Sequence, residues 1–413
     1  MRRFSSRALN RIAALVALLL SGCGGPANAN APLAADQPIV YTYDGAQGGG
    51  IIAISGRDGT TLWRATLGFQ SGTAVVAGDV VFTCVYPAKG DFGEDVIALR
   101  LRDGKQLWRT SLVPPSQESG VCRFATDGTT LALVGGQRTP APANDSSLYA
   151  LNAANGAIRW RQAINAVGPV LLEHGVIYTT IDADPMQTDS RIIGAFAASD
   201  GKPLWSVPYV GQYAGSEFVG DGRALYTDEH GQAIAALDLR DGSHLWEHTF
   251  AQGEGPGWVI AVTGQALLIG SPAQSGETAP SALALTDGHL LWRSPTSLLS
   301  SYPGGGANLA IAPPYLFSVF DRDVIAIRLS DGAQVWHTHL DHENLSVFDQ
   351  LIAQDGIVVV QLSPAPCSFS CSGSVPRIIA LDGATGKVYW RQDARGAQLV
   401  VGPTPSASAS ATG

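Results

Sequence analysis

Methionine and long helical patterns are scarce in this sequence. Only 2 of its 413 residues are Met, whereas 48 are Gly and 24 are Pro. No long helical pattern follows the first twenty residues, which excludes a helical bundle. Abundant glycine favours a fold of short strands joined by many turns. Because 45% of the residues are hydrophobic, the chain can nevertheless bury a large core.

Basic residues and catalytic motifs are scarce as well. The chain has 26 Lys and Arg against 35 Asp and Glu, and four of its arginines lie within the first 22 residues. Without a basic stripe, nucleic acid is excluded as a partner. The sequence has no nucleophile elbow, no phosphate-binding glycine loop before a helix and no zinc-protease helix. We therefore predict no catalytic residues.

Residues 1–22 have the pattern of a secretory signal peptide. A basic segment precedes "IAALVALLL" (12–20), an apolar stretch that is too short to span a bilayer as a helix. "LSGC" (20–23) resembles the bacterial lipobox, which implies that Cys23 is lipidated and becomes the mature N-terminus. The alternative is an ordinary signal peptide with a chance cysteine. We expect residues 23–38 to be a flexible tether, and the protein to be exported and lipid-anchored to the bacterial membrane, at the cell surface or the periplasmic face.

The pattern A-x5-G-x3-W occurs eight times, and each copy ends a unit that reads as four strands. Its tryptophans are Trp63, Trp108, Trp160, Trp205, Trp246, Trp292, Trp336 and Trp390. The Gly supplies a hairpin turn, each Trp covers the neighbouring unit, and the Ala leaves room for the ring. We predict an all-β, eight-bladed β-propeller of four-stranded antiparallel blades over residues 39–403. "IVYTY" (39–43) lacks an inner strand that "AQLVVGP" (397–403) would supply, so the C-terminal strand would close the ring. Residues 404–413 read as a disordered tail.

This repeat resembles the tryptophan-docking repeat of PQQ-like (quinoprotein-type) propellers over nearly the whole mature chain. Anchor, size and blade number are similar to those of the propeller lipoproteins of outer-membrane assembly (BAM) complexes. That resemblance implies a monomeric, non-catalytic scaffold that binds a protein partner through inter-blade loops, with no cofactor. One alternative is a quinone-dependent oxidoreductase of alcohols or sugars with PQQ and calcium as cofactors. Another is an extracellular ligand or polysaccharide sensor.

The sequence departs from the active quinoprotein enzymes in its cysteines. It has no adjacent cysteine pair and no C-x-x-C-H haem attachment motif. Cys84 ends the second strand of blade two and Cys122 begins the inner strand of blade three, on the same face. We predict the disulfides Cys84–Cys122 and Cys367–Cys371, the latter within "PCSFSC". A four-thiolate metal site is the alternative.

Two polar clusters have the residue types of metal sites but are better explained as solvated surface. "HTHLDHE" (337–343) contains His337, His339 and His342, and the first two share a strand face directly after a Trp. The loop "DADPMQTDS" (182–190) contains Asp182, Asp184 and Asp189, but it lacks the Gly and the closing Glu of a calcium loop. We predict no metal site.

Loops that enter the inner strands contain side chains suited to ligand contact. Trp258 is the one tryptophan outside the repeat and has a face on which a planar group would stack. Structural packing at the mouth of the central funnel is the alternative role. The candidate set at this mouth is Tyr213, Glu217, Glu254, Trp258, Tyr302 and Asn308.

Overall fold

The structure is a computed structural model, and the residues it describes lie between positions 39 and 401. They are 39–43, 50–56, 58–67, 69–70, 74–86, 94–113, 122–138, 144–182, 191–209, 218–220, 222–227, 233–250, 258–263, 266–272, 277–295, 298–299, 309–320, 323–340, 347–354, 356–363, 377–393 and 399–401. The predicted signal peptide, the lipidated Cys23, the tether and the C-terminal tail lie outside these ranges. No helix in the described ranges is long and apolar enough to cross a membrane.

The described strands form antiparallel sheets that follow one another along the chain. The first sheet contains β1 (Ile39–Tyr43), β2 (Gly50–Ser55), β3 (Thr61–Thr66) and β34 (Leu399–Val401). The second contains β4 (Phe69–Gln70), β5 (Val75–Ala77), β6 (Val80–Tyr86), β7 (Glu94–Arg100) and β8 (Gln106–Val113). The third contains β9 (Arg123–Thr126), β10 (Thr130–Arg138), β11 (Asn144–Asn152) and β12 (Ile158–Ala163). The fourth contains β13 (Ala166–Glu173), β14 (Val176–Asp182), β15 (Arg191–Ala197) and β16 (Pro203–Tyr209).

The second half of the chain repeats this organisation. The fifth sheet contains β17 (Phe218–Gly220), β18 (Arg223–Thr227), β19 (Ala233–Asp238) and β20 (His244–Thr249). The sixth contains β21 (Trp258–Thr263), β22 (Ala266–Pro272), β23 (Glu277–Ala284), β24 (Leu290–Arg293) and β25 (Leu298–Leu299). The seventh contains β26 (Leu309–Ala312), β27 (Tyr315–Phe320), β28 (Asp323–Arg328) and β29 (Gln334–His339). The eighth contains β30 (Val347–Gln354), β31 (Ile357–Ser363), β32 (Arg377–Asp382) and β33 (Val388–Asp393).

The fold is thus an all-β propeller of four-stranded antiparallel blades, but the prediction of eight such blades is corrected. Six sheets have four strands, and the second and sixth have five. In the second, β4 and β5 pair separately with β6, and the sequence between them contains Ser71-Gly72, which is typical of turns. In the sixth sheet, Pro295 follows β24 and has no N–H to donate to the sheet. Beyond this proline, β25 pairs with β23 as a fifth strand.

The strand register explains the alanine of the repeat. Within each sheet the motif Ala of the third strand pairs directly with the Trp of the fourth, as Ala236 does with Trp246. A β-bulge lies next to this pair, and its extra residue is in the fourth strand, where Leu245 is skipped between Trp246 and His244. The Ala is fully buried, and a larger side chain would fill the space beside the indole.

The tryptophans connect the sheets to one another. Each indole Nε1 donates a hydrogen bond to the backbone carbonyl of the residue three positions after the motif Ala of the next sheet. The pairs are Trp63–Leu101 at 2.7 Å, Trp108–Ala153 at 2.9 Å, Trp160–Ala198 at 2.9 Å, Trp205–Leu239 at 3.2 Å, Trp246–Leu285 at 2.7 Å, Trp292–Leu329 at 2.8 Å, Trp336–Gly383 at 3.0 Å and Trp390–Gly56 at 2.8 Å. The last of these bonds joins the eighth sheet to the first.

The first and the last described strands of the chain meet in the first sheet. Strand β34 pairs antiparallel with β1, with Val40 opposite Val401 and Thr42 opposite Leu399. At the sheet edge opposite the tryptophans, first strands of neighbouring sheets contact each other, including β9 with β13, β26 with β30, and β30 with β34. These contacts make the first strands the inner strands and the Trp strands the outer ones.

The motif glycines have a second role that the sequence did not reveal. Gly288 has a φ of +74°, and a Cβ on it would lie 2.6 Å from Cε3 of Trp246 in the preceding sheet. The other seven motif glycines are placed in the same way against the Trp before them. The absent side chain therefore allows both the turn and the close approach of the indole.

The core consists of clusters between neighbouring sheets rather than one central mass. Between the second and third sheets, Phe82, Trp108 and Tyr149 pack around Cys84 and Cys122. The structure contains the predicted Cys84–Cys122 disulfide, with the two Cα atoms 6.3 Å apart. Both cysteines are almost fully buried. The other predicted disulfide, Cys367–Cys371, lies outside the described residues.

The contact between glycine and indole predicts a difference between two glycine substitutions. Gly288→Ala introduces a Cβ that overlaps Trp246, whereas Gly175→Ala, at a φ of +76°, meets nothing within 4 Å. An alanine at either position is strained by the positive φ. The overlap with Trp246 should therefore lower the free energy of unfolding of Gly288→Ala by about 1–3 kcal/mol more than that of Gly175→Ala. Urea unfolding followed by tryptophan fluorescence measures this difference. Equal destabilisation of the two variants would show that the turn alone requires glycine.

Candidate functional site

The predicted funnel-mouth set lies almost entirely outside the described residues. Tyr213, Glu217, Glu254, Tyr302 and Asn308 all fall in undescribed segments. Trp258 is the first residue of the inner strand β21, opposite Gly270 in β22, rather than part of a loop. Asp182 is the last residue of β14, and Asp184 and Asp189 are not described. Where the structure is described, it does not bring these groups together.

The two described histidines of "HTHLDHE" share one carboxylate. His337 Nε2 lies 2.7 Å and His339 Nδ1 lies 2.8 Å from the same oxygen, Oδ1 of Asp323. Asp323 begins β28 and pairs with His339 across the sheet. Sequence reasoning missed this carboxylate, although its position three residues before the motif Ala326 was a usable signal. His342 is not described.

The electrostatics of this cluster favour a charged carboxylate. Burial alone would raise the pKa of Asp323, but hydrogen bonds from His339 and His337 outweigh it, so that pKa lies below its ordinary value of 3.8. Both histidines are about half exposed. Within the described ranges, no three His, Cys, Asp or Glu side chains are placed to hold a metal ion. The cluster is therefore best described as a hydrogen-bonded surface group.

The second sheet has the same arrangement with different residues. Asp95 stands three positions before the motif Ala98 and accepts hydrogen bonds from Arg109 Nε, at 2.5 Å, and from the Ser111 hydroxyl. In both sheets a carboxylate on the third strand thus binds the side chains one and three positions after the Trp. These pairs align the outer strand with its neighbour, which is a structural role.

Five of the outer strands present a large hydrophobic side chain to solvent immediately before the motif Trp. The residue before the Trp is 42% exposed at Leu107, 50% at Leu204, 42% at Leu245, 46% at Leu291 and 47% at Tyr389. We call these five residues the outer strip. In the part of the chain that the structure describes, the strands that carry them are hydrogen-bonded on one side only. An open strand edge with apolar side chains is suited to contact with another protein.

The candidate residues for a quinone and its calcium at the funnel mouth, apart from Trp258, lie outside the described residues. The sequence lacks the adjacent cysteines of the active enzymes, and the metal-ligand types in the described ranges do not converge.

Tyr178 is the one tyrosine in the described ranges with a large pKa shift, because burial, Glu173 and Asp238 raise the pKa to about 12. Its hydroxyl donates to the Leu239 carbonyl at 3.0 Å, beside the Trp205 indole, so it serves packing between sheets.

The fold and its repeat define a class, the PQQ-like β-propellers. The family model for the outer membrane protein assembly factor BamB matches residues 23–193, 185–279 and 275–412. Since these segments span nearly the whole chain, the chain belongs to the BamB family. No curated protein matches this sequence.

Solved structures agree with the fold. BamB from Moraxella catarrhalis is 18% identical, with a TM-score of 0.51 over 79% of this chain and 87% of that one. Apo AztD from Citrobacter koseri is 12% identical, with a TM-score of 0.56 over 89% and 99%. The dihydro-heme d1 dehydrogenase NirN in complex with DHE is 11% identical, with a TM-score of 0.58 over 92% and 78%. At these identities the likeness establishes the propeller fold alone.

The Asp323 cluster predicts a stability contribution that depends on pH. Because the pKa of Asp323 is lowered in the folded protein, the contribution is present above pH 3.8 and is lost as the pH falls through the lowered value. Asp323→Asn should therefore destabilise the protein at pH 6, and the difference from the wild type should shrink towards pH 3. Urea unfolding at both pH values measures it.

A double-mutant cycle supplies the control for that experiment. In a background with His337→Ala and His339→Ala, Asp323→Asn should have a much smaller effect at pH 6, because the hydrogen bonds to the carboxylate are already gone. An undiminished effect in that background would contradict the assignment.

Proposed function

We propose that this protein is a non-catalytic propeller scaffold, anchored to the bacterial envelope, that binds a protein partner in outer-membrane protein assembly. The observation that carries the proposal is the BamB family match over residues 23–412. Family membership alone does not fix a function, because propellers of this class include both scaffolds and enzymes.

A rigid ring suits a scaffold, and we infer that the sheets close on themselves. The pairing of β34 with β1 and the Trp390–Gly56 hydrogen bond support closure. A closed ring has no free end from which the sheets can separate, so its surface keeps one shape. A surface of fixed shape binds a partner at a lower entropic cost than a mobile one.

The outer strip is the described surface that best fits a protein partner. Leu107, Leu204, Leu245, Leu291 and Tyr389 each lie on an outer strand with an open edge. Apolar side chains together with unpaired backbone groups allow an extended segment of a partner to add to the sheet. The inter-blade loops, which the family resemblance implies as partner contacts, belong largely to undescribed segments.

Site-specific photo-crosslinking in the native cell tests the scaffold proposal. A benzoylphenylalanine at Leu204 or Tyr389 should cross-link to a component of the outer-membrane protein assembly machinery. The same residue at Lys202, on the exposed turn before β16, is the matched control and should not. Recovery of no assembly component from any position, or equal recovery from all three, would contradict the proposal.

Calorimetry with pyrroloquinoline quinone and calcium tests the enzyme alternative on the same protein. The scaffold proposal expects no heat of binding. One-to-one binding at micromolar concentration that is lost in Trp258→Ala would instead assign the protein to the quinone-dependent oxidoreductases.

The proposed anchor has a separate test. Cys23→Ser removes the only thiol that the lipobox pattern can lipidate, so the variant should leave the membrane fraction for the soluble one. Unchanged near-ultraviolet circular dichroism of the variant controls for folding. A variant that still sediments with membranes and resists extraction by salt would contradict lipid anchoring at this residue.

A further inference from the structure

An apolar cleft of about 630 Å³ lies between the seventh and eighth sheets. Its walls are the turn after β26, the start of β27, the turn between β30 and β31, and the turn after β32. Its main lining residues are Ile311, Pro314, Tyr315, Phe317, Ala353 and Gly383. The volume is within the range of small-molecule sites, about 300–1,000 Å³.

The repeat beside the cleft lacks a side chain at a position that most repeats fill. Gly383 stands three residues after the motif Ala380, at the position whose carbonyl accepts the Trp336 indole. Most other repeats have Leu or Ala there. In the fifth sheet this residue is Leu239, which packs with Tyr178 and Trp205 of the preceding sheet.

The residues that a leucine at position 383 would cover are aromatic. Phe317 in β27 corresponds to Tyr178 in β14, since each pairs with the motif Ala of its own sheet. Tyr315 and Phe317 form an edge-to-face pair with ring centroids 5.9 Å apart. Tyr315 is partly exposed and Phe317 is almost fully buried, and both line the cleft together with Gly383. The first sheet also has a glycine at the equivalent position, Gly56.

The polar backbone groups of the cleft are already satisfied. The Gly356 carbonyl accepts the Gly383 N–H at 2.8 Å, and the Gly383 carbonyl accepts Trp336 at 3.0 Å. Pro313 and Pro314 replace the glycine turn found in sheets such as the fourth, so this turn offers no N–H donor. Of the described residues that line the cleft, none carries a charge, and Gln354 is the polar one besides Tyr315.

We propose that this cleft is a binding site for a small, uncharged, apolar ligand. A charged ligand would lose its hydration without gaining a charged partner among the described lining residues. A protein partner needs a contact surface of about 800 Å² on each side, which is far larger than this cleft. The inference is independent of the proposed scaffold function.

Saturation-transfer NMR with toluene as the probe tests the site. The protein carries Cys23→Ser, so that no detergent competes for the probe. Toluene should bind saturably in the millimolar range, and benzoate should bind about tenfold more weakly because its carboxylate loses hydration. Gly383→Leu should restore the missing side chain and lower toluene binding at least about fivefold.

Two further variants keep the test decisive. A Cβ on Gly383 would lie 3.1 Å from the Gly356 carbonyl oxygen, so Gly383→Leu requires a small backbone shift. Ala353→Leu fills the cleft from the opposite wall and should also abolish binding if Gly383→Leu fails to fold. Ala154→Leu, which adds a leucine at an exposed turn of the third sheet, should bind toluene as the wild type does.

Two outcomes would overturn the proposal. One is toluene binding that is equal in wild type, Ala353→Leu and Ala154→Leu, which would mean that the probe binds elsewhere. The other is no saturable toluene binding to the wild type.

Discussion

The contact of a tryptophan indole with a glycine turn in the next sheet is the interaction on which the rest of this structure depends. It combines a hydrogen bond of the indole Nε1 to a backbone carbonyl with the placement of the ring against a residue that has no Cβ. The strands within a sheet would pair without it. This contact occurs at all eight junctions between sheets, so it sets the spacing of the propeller.

Each part of the repeat follows from this contact. The motif Ala beside the Trp must be small because it is fully buried next to the ring, as Ala236 is beside Trp246. The glycine must lack a Cβ and must adopt a positive φ, as Gly288 does at +74°. Two independent steric requirements thus fall on one glycine, which explains why the eighth repeat keeps Gly386 although Thr385 replaces the usual Asp or Asn before it.

The sequence predicted the strands and the tryptophan positions because those features repeat. "IVYTY" (39–43) matches β1 in both bounds, and the pairing of the C-terminal segment with it is observed in β34. The disulfide Cys84–Cys122 was predictable because strand order alone places both cysteines at one end of neighbouring sheets. The predictions that failed concerned the division and the number of individual strands. The split of the inner strand into β4 and β5, and the extra strand β25 beyond Pro295, depend on single residues that interrupt a pattern rather than on the pattern itself.

The candidate sites were harder to predict for the same reason. Asp323 precedes the motif Ala326 by three residues, but only the strand register shows that it lies opposite His339 and within reach of both histidines. The apolar cleft is likewise not visible as a motif, because it lies beside Gly383, one of two glycines at a position that is Leu or Ala in the other six repeats.

In a repeat protein the architecture constrains most positions of each unit, since a change there disrupts a contact with the next sheet. A position that departs from the repeat without disrupting that contact is free to serve another purpose. Gly383 is such a position, because its carbonyl still accepts the Trp336 indole and its N–H still donates to Gly356. Only the side chain is missing, and the cleft lies beside this position. A search for functional sites in this family should therefore begin at positions where the backbone contacts follow the repeat but the side chain differs from it.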